Sequence, residues 1–265
     1  MRKIGLIVGN GLLPRYFLEK AAAKDLEVYP IGLFDTIDGA VRENARFRAF
    51  NIGAVGDIVK HFLLNDVREL IMLGKVEKRL IFQDLTPDAW GEELLRKLPD
   101  RKDETLLFGV ISFLRLNGIK VLDQTKFIEE FLIRKTRYTK SAPDENDLRT
   151  VKTGVEAAKA LSKIDAGQCV VCKDRSVVAL EGIEGTDRCI ARGGELAGPG
   201  TIIVKMARPQ QDMKVDVPVI GLETVRRAAA VKARGIAGEA GKMMLLDEAD
   251  CVRIADENNM FLIGI

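Results

Sequence analysis

A regular alternation of apolar strands and amphipathic helices in the first half of the sequence is the feature that most limits the fold. Residues 3–8, KIGLIV, predict a buried strand, which Gly9, Asn10 and Gly11 follow before a helix that begins near Pro14. Further strands are predicted at 27–33, 47–52, 68–73 and 119–122. A helix is predicted to begin at residue 56, and others are predicted at 87–98, 104–116 and 125–134. This spacing is typical of an open, largely parallel sheet.

The second half of the sequence predicts another α/β domain. An amphipathic helix opens it with Asp144 or Asp147 as the N-cap, and strands are predicted at 169–172, 177–180, 201–204 and 260–265. Thr224 and Asp247 are predicted to cap two later helices. Residues 135–143, KTRYTKSAP, are basic and polar and end in proline, a composition typical of a linker. We therefore expect two domains, at 1–137 and 142–265.

Composition excludes several classes of protein. With 265 residues, 47% of them hydrophobic, the chain is long enough for two cores. Although 30% of residues are charged, the net charge is only +2, so no nucleic-acid partner is expected. The apolar runs are far shorter than the roughly 20 residues that cross a bilayer. The N-terminus lacks the longer apolar region of a signal peptide, so a cytoplasmic location is expected.

The four cysteines of the chain are predicted to be buried and reduced. Cys169 and Cys172 form a CxxC motif, but no second CxxC or pair of histidines accompanies it, as a zinc site would require. In an extended strand the two side chains point to opposite faces. Core thiols therefore explain the motif better than a metal or redox site.

Two glycine-containing turns are candidate phosphate sites. In GNGLLP, residues 9–14, the glycines allow close approach of the backbone, and the helix that follows offers N–H groups and a positive dipole end. Pro14 replaces the third glycine of the dinucleotide fingerprint, which disfavours a nicotinamide cofactor. Gly74 and Lys75 follow the strand at 68–73, where strand ends line the ligand crevice of an open sheet. The alternative for Lys75 is an ordinary solvated surface.

His61 is the single histidine, and its apolar surroundings predict packing or surface exposure. Histidine-rich metal sites and histidine-based triads are thereby excluded. Acid–base chemistry then depends on carboxylates or lysines, and any metal should be a hard cation held by oxygen, such as Mg²⁺ or Mn²⁺.

Carboxylates, lysine and amides concentrate near the ends of the strands at 177–180 and 201–204. Asp216 is the strongest functional candidate among them, because it lies between apolar residues in VDVPVIG. Burying a carboxylate there would be costly without a cation or hydrogen bonds. The alternative is a structural aspartate that caps a loop. Lys205, Gln211 and the EGTD turn at 184–187 are expected to converge on Asp216.

Six segments taken together resemble the LpxI family, and the resemblance runs in order over essentially the whole chain. They are IGLIVGNGLLP at the start, LGKVEK at 73–78, IDAGQ at 164–168, LEGIEGTD at 180–187, KMARPQQDMKVDVPVIG at 205–221 and GIAGEAG at 235–241. The EGTD segment and the KxxxPxQDxxxDxPxIG segment are the specific ones.

The resemblance implies an activity and a fold beyond what spacing indicates. Members of this family are UDP-2,3-diacylglucosamine pyrophosphatases of lipid A biosynthesis, which release UMP and 2,3-diacylglucosamine 1-phosphate. It implies attack of water on the α-phosphorus with a divalent cation, usually Mg²⁺. It also implies a Rossmann-like domain and a second α/β domain with the site in the cleft between them. Asp216 matches the essential acidic residue of the family, and it would hold the metal or position the water.

The predicted site residues follow from these motifs. Asp216 is the predicted catalytic residue, and Asp216, Glu184 and Asp187 are the predicted metal ligands. The predicted substrate-binding residues are Gly9, Asn10, Gly11, Leu12, Gly74, Lys75, Gln168, Thr186, Asp187, Lys205 and Gln211.

The expected partner is a glycolipid nucleotide, and the protein is expected at the cytoplasmic face of the inner membrane. The helix at Trp90–Leu98 could contact the membrane surface transiently, although core packing also explains its apolar residues. A homodimer is plausible because two-fold dimers are the commonest oligomers. Two other functions stay open: a non-catalytic nucleotide-sugar-binding or regulatory protein, and a nicotinamide-dependent oxidoreductase. Domain closure on the substrate is a further hypothesis, based on the linker at 135–143.

Overall fold

The chain folds into two compact units that are interleaved in sequence. The computed structural model describes residues 1–33, 37–74, 86–99, 103–164, 166–208 and 212–265. The first unit comprises Met1–Glu129 together with Asp212–Asp216, and the second comprises Glu130–Gln211 and Val217–Ile265. The chain therefore passes from one unit to the other after residues 129, 211 and 216.

The first unit alternates strands with helices around one parallel sheet. Its described strands are β1 (Arg2–Val8), β2 (Leu26–Gly32), β3 (Arg48–Ala49), β4 (Glu69–Leu73) and β5 (Lys120–Val121). Its described helices are α1 (Leu13–Ala22), α2 (Gly39–Arg42), α3 (Val55–Leu64), α4 (Ala89–Lys97) and α5 (Asp103–Leu116). The strand order is β3-β2-β1-β4-β5, and every neighbouring pair is parallel. This order confirms the predicted Rossmann-like sheet.

Strand β1 occupies the centre of this sheet because both of its faces are apolar. Ile4 is paired in register with Val28 of β2, and Leu6 with Ile71 of β4. All four side chains are buried. A strand covered on both faces has a nearly continuous apolar sequence, which is why residues 3–8 predict it so well.

The second unit contains a mixed sheet and a short parallel pair of strands. Its described strands are β6 (Cys169–Lys173), β7 (Ser176–Leu180), β8 (Ile202–Lys205), β9 (Val219–Ile220), β10 (Gly235–Gly238), β11 (Met244–Leu245) and β12 (Phe261–Gly264). Its described helices are α6 (Glu145–Lys163), α7 (Thr186–Ala197), α8 (Leu222–Ala230) and α9 (Glu248–Glu257). The main sheet has the order β12-β10-β8-β6-β7, in which β12, β10 and β8 are parallel and β6 is antiparallel to both of its neighbours. A second α/β unit is therefore confirmed.

The cysteines of β6 lie on opposite faces of the sheet, as predicted. Cys169 packs in a cluster with Cys189 of α7 and Cys251 of α9. Cys172 packs in a different cluster with Val151 of α6. All four cysteines are buried and free, so the core interpretation of the CxxC motif is confirmed.

The helix predicted at 125–134 is wrong. The segment contains only a single 3₁₀ turn, Glu129–Phe131, and Phe127 has a left-handed φ of 73° that interrupts helical geometry. Ile128 is buried in the first unit, whereas Ile133 is buried in the core cluster of the second. The apolar spacing that resembled one helix face therefore serves two separate cores.

Residues 135–143 are not a free linker, which corrects the interpretation of KTRYTKSAP. The backbone N–H of Tyr138 donates to the carbonyl of Leu262. The backbone N–H of Leu262 in turn donates to the buried hydroxyl of Thr139. The N–H of Lys140 donates to Asp256. The segment is thus bound along β12 of the second unit, so its composition gives no support to a hinge there.

Helix α7 was missed because its sequence contains Gly193 and Gly194, which disfavour helices. Both are needed for packing. A Cβ on Gly193 would come within 2.6 Å of Val171, and one on Gly194 would come within 2.4 Å of Val231. The glycines therefore mark close approach of α7 to its neighbours.

We expect the four thiols of the folded protein to resist a soluble disulfide reagent at pH 8. All four are buried, so the reagent cannot reach them. Burial also raises the pKa of Cys172 to about 11 and that of Cys251 to about 12, which suppresses the reactive thiolate at these two positions. Denatured protein should titrate four thiols, and folded protein none over the same minutes. Rapid reaction of even one thiol in the folded protein would contradict the described packing.

Candidate functional site

The ends of β1 and β4 meet at the centre of the first sheet. The backbone N–H of Gly9 donates to the carbonyl of Leu73 at 2.7 Å. Gly74 has φ of +94°, and a Cβ there would lie 2.6 Å from the Gly9 carbonyl carbon. In the order β3-β2-β1-β4-β5, β1 and β4 flank the point where the strand order reverses, which is where open sheets bind ligands. The two predicted glycine turns thus form one feature.

The loop after β1 leads directly into α1. Gly11 has φ of +115°, and Leu12 is the N-cap residue, half exposed and without a side-chain capping bond. Pro14 lies in the first turn, as predicted, where its missing N–H is no loss. Backbone N–H groups of this turn are therefore available to a phosphate, and Asn10 lies between the glycines at the same edge.

Residues 212–216 belong to the same edge of the first unit. The backbone N–H of Gln124 donates to the carbonyl of Met213 at 2.6 Å, and its side-chain amide donates to Met72 of β4 at 2.7 Å. Gln124 is itself buried, so both bonds are shielded from water. The late segment that carries Asp216 is thereby held where β4 and β5 end.

Asp216 is exposed, which corrects the expectation that it is buried in an apolar strand. It follows a turn at 212–215, and its backbone N–H donates to the carbonyl of Asp212 at 3.2 Å. Val217 and Pro218, which come next, are buried. The buried apolar residues of VDVPVIG therefore anchor the segment, while Asp216 itself stays exposed.

In the second unit, one edge of the sheet carries Gln168 and Lys205. Cys169 of β6 pairs with Lys205 of β8, and the N–H of Met206 donates to the carbonyl of Gln168 at 3.0 Å. The ammonium of Lys205 donates to the carbonyl of Val219 at 2.9 Å. An ammonium has three donors, so this bond leaves capacity for an anionic ligand.

Thr186 and Asp187 form the first turn of α7 at this edge. Gly185, the N-cap residue, has φ of 81° and makes no side-chain capping bond. The hydroxyl of Thr186 donates to Glu181 at 2.9 Å, and another oxygen of Glu181 accepts the backbone N–H of Gln168 at 2.9 Å. Four predicted residues, Gln168, Thr186, Asp187 and Lys205, thus lie on a single edge, and Glu181 links two of them.

Glu184 makes structural contacts within its own loop. Its carboxylate accepts from Arg192 at 2.5 Å and from the N–H of Gly182 at 3.1 Å. Hydrogen bonds, first from its own backbone N–H and then from Arg192, lower the pKa of Glu184. It therefore stays anionic as pH falls, but an arginine already neutralises it.

The predicted metal ligands are not gathered into one cage by the described part of the chain. Within those ranges, no group of three or more His, Cys, Asp or Glu side chains is placed to hold an ion. Mg²⁺, however, is usually held by one or two carboxylates together with substrate phosphates. Asp216 is an exposed carboxylate, an oxygen donor that Mg²⁺ accepts, so the described residues would suit a cation that arrives with a substrate better than one held by protein groups alone.

Two predicted residues, Lys75 and Gln211, lie outside the described residues. Asp216 belongs to the first unit, whereas Lys205 and the EGTD turn belong to the second. Their convergence therefore stays a prediction. Glu239, in the GIAGEAG segment, accepts the N–H of Ala207 at 2.9 Å and pairs with Lys242 at 2.9 Å, which fixes the loop after β8.

Substituting Gly74 with alanine should destabilise the fold more than the same change at Gly11. Both positions have positive φ, a strain of about 1–3 kcal/mol for a residue with a side chain. At Gly74 the new Cβ also collides with the Gly9 backbone, whereas at Gly11 no heavy atom lies within 4 Å. Thermal unfolding of both variants measures the difference, and equal loss of Tm would refute the close contact between the two turns.

Comparison with known proteins covers both units. The family model described as the LpxI N-terminal domain matches residues 3–131, and the one described as the LpxI C-terminal domain matches residues 134–263. A relative from Caulobacter vibrioides named UDP-2,3-diacylglucosamine pyrophosphatase LpxI is 29% identical over 283 aligned residues, which span 100% of this chain and 98% of that protein. With its Rossmann-like first unit, its second α/β unit and both domain matches, the chain belongs to the LpxI family.

Proposed function

We propose that this protein hydrolyses the pyrophosphate of UDP-2,3-diacylglucosamine to UMP and 2,3-diacylglucosamine 1-phosphate. The observation that carries the proposal is the match of both LpxI domains in order, together with a relative of that name aligned along the whole chain. The strand-end positions of the predicted site residues support it, because ligands of open α/β sheets bind at such edges.

The proposed reaction is attack of water on the α-phosphorus. The new bond joins the water oxygen to that phosphorus, and the bond to the bridging oxygen breaks. The 1-phosphate of the lipid leaves with the bridging oxygen, and the proton of water passes to a base or to solvent. Attack at this phosphorus places the water oxygen in UMP, which isotope labelling can detect.

The residues have distinct proposed roles. Asp216, exposed at the edge of the first sheet, positions the water or holds Mg²⁺. The N–H groups around Gly11 and the ammonium of Lys205 bind phosphate oxygens, where donors stabilise the developing charge. Bound Mg²⁺ or Mn²⁺ would supply charge neutralisation at the pyrophosphate.

Replacing Asp216 with asparagine should reduce UMP release by about 100-fold or more, the effect typical of losing a positioned base or metal ligand. UMP release from UDP-2,3-diacylglucosamine would be measured with Mg²⁺ and with EDTA, and EDTA should abolish it. The matched control is Asp57→Asn, an exposed carboxylate of α3 in the same unit that pairs with Lys60 at 3.3 Å.

Each outcome of this experiment separates the candidate functions. A folded wild-type protein that releases no UMP would overturn the hydrolase proposal in favour of binding without chemistry. Activity of Asp216→Asn at the level of the control would remove Asp216 from the site. A nicotinamide-dependent absorbance change would favour the oxidoreductase alternative.

Transient contact with the membrane surface is a separate proposal, based on the hairpin of α4 and α5. Trp90, Phe108 and Leu116 on these helices are 40%, 48% and 85% exposed. They belong to the lining of an apolar groove of about 600 Å³ between the two helices. No helix in the described ranges is long and apolar enough to cross a membrane.

Serine at both Phe108 and Leu116 should weaken co-sedimentation of the protein with phospholipid vesicles, because apolar area that enters the lipid is lost. UMP release from detergent-dispersed substrate should stay near the wild-type rate. The matched control is Leu64→Ser, which removes an equally exposed leucine from the end of α3. Equal binding of both variants would exclude the hairpin as the contact surface.

A further inference from the structure

Glu181 connects three elements of the second unit with one carboxylate and its own backbone. It directly follows β7, and its N–H donates to the carbonyl of Cys169 at the start of β6 at 3.0 Å. Oε1 accepts the hydroxyl of Thr186 and Oε2 accepts the backbone N–H of Gln168, both at 2.9 Å. The first turn of α7 and the residue before β6 are thereby tied to the same side chain.

The backbone of Gln168 is held on both sides by these contacts. Its N–H is bound by Glu181, and its carbonyl accepts from Met206 after β8 at 3.0 Å. Gly167, the preceding residue, allows this approach, because a Cβ there would lie 2.5 Å from the carbonyl oxygen of Glu181. The backbone from which the Gln168 side chain extends is therefore held by hydrogen bonds on both sides.

The side-chain carbonyl oxygen of Gln168 lacks a hydrogen-bond donor among the described residues. This Oε1 atom is buried. A buried acceptor left unpaired costs free energy, so such atoms in folded proteins usually have a reason. A hydroxyl or N–H of a bound ligand would supply the missing donor, and both are present in a uridine nucleotide and a glucosamine.

Glu181 also orients the side chain of Thr186 at the start of α7. As the first helical residue after Gly185, it begins a turn whose N-cap has no side chain to accept its N–H groups. The bond to Glu181 fixes the rotamer of its hydroxyl, while the N–H groups of the turn stay oriented outward from the helix end. Binding groups locked by such supporting contacts lose less entropy when the ligand arrives.

We propose that Glu181 is a positioning residue for substrate binding, which holds Gln168 and Thr186 in the geometry in which they bind the nucleotide sugar. The inference rests on the proposed function and adds to it a residue outside the predicted substrate-binding set. Glu181 acts through its two neighbours and does not itself contact the reacting phosphorus.

Removing the carboxylate should raise KM while leaving kcat nearly unchanged. Glu181→Ala loses two hydrogen bonds that support ground-state binding, and KM for UDP-2,3-diacylglucosamine should rise about tenfold. Glu181→Asp, which is one methylene too short to reach both partners, should raise KM in a well-folded protein if the alanine variant folds poorly. A residue with a purely structural role would instead lower Tm and the fraction of active enzyme, with a normal KM.

Glutamine at the same position provides the rescue. Its carbonyl can accept the N–H of Gln168, and its NH₂ can donate to the hydroxyl of Thr186, since a hydroxyl also accepts. Glu181→Gln should therefore keep KM within about twofold of wild type. The matched control is Glu195→Ala, which removes an exposed carboxylate from α7, the helix that begins at Thr186, and should leave KM and kcat unchanged.

A double-mutant cycle tests whether Glu181 acts through Thr186. Thr186→Val keeps the shape and removes the hydroxyl; combined with Glu181→Ala, it should raise KM by less than the product of the two single effects. A normal KM in active Glu181→Ala and Glu181→Asp enzymes, or fully multiplicative effects, would overturn this proposal alone. Absence of UMP release by the folded wild type would overturn the proposed function and this proposal with it.

Discussion

The hydrogen bond from the N–H of Gln124 to the carbonyl of Met213, 2.6 Å long, attaches the acidic segment at 212–216 to the first unit. The side chain of Gln124 also donates to Met72 of β4, so the segment that carries Asp216 is held where β4 and β5 end. Asp216 and the glycine turns at Gly9 and Gly74 therefore belong to one unit, although they lie far apart in the sequence.

The first half of the fold could be predicted from sequence because its strands are buried on both faces. Ile4 and Leu6 belong to an uninterrupted apolar run, and such runs predict central parallel strands. The segment at 125–134 misled the prediction because Ile128 and Ile133 are spaced like one helix face but are buried in different cores. Local periodicity has no information about which core a side chain enters.

Helix α7 was not predicted, although it is well packed, because its two glycines disfavour a helix when the sequence is read locally. Close approach of Gly193 to Val171 depends on the absence of a side chain, and nothing in the local sequence reports that neighbour. Only part of the candidate site could be predicted, because contacts between distant segments are not visible in the local sequence. Strand-end glycines, Lys205 and Thr186 could be found from motifs. The sequence indicates Glu181 only as a candidate oxygen ligand near the end of a strand, because its hydrogen-bond partners are set by the sheet. The prediction that Asp216 is buried was wrong, because residues that are neighbours in sequence do not always pack around the side chain between them.

The repeated passage of the chain between units has a consequence for how this family can be recombined. A cut between residues 131 and 134, where the two domain matches meet, leaves the Asp216 segment with the wrong partner. An N-terminal fragment made this way would have the glycine turns without the acid, and the C-terminal fragment would have the acid without its anchor at Gln124. The N-terminal half therefore depends on a five-residue segment, Asp212–Asp216, that only the C-terminal half of the chain supplies.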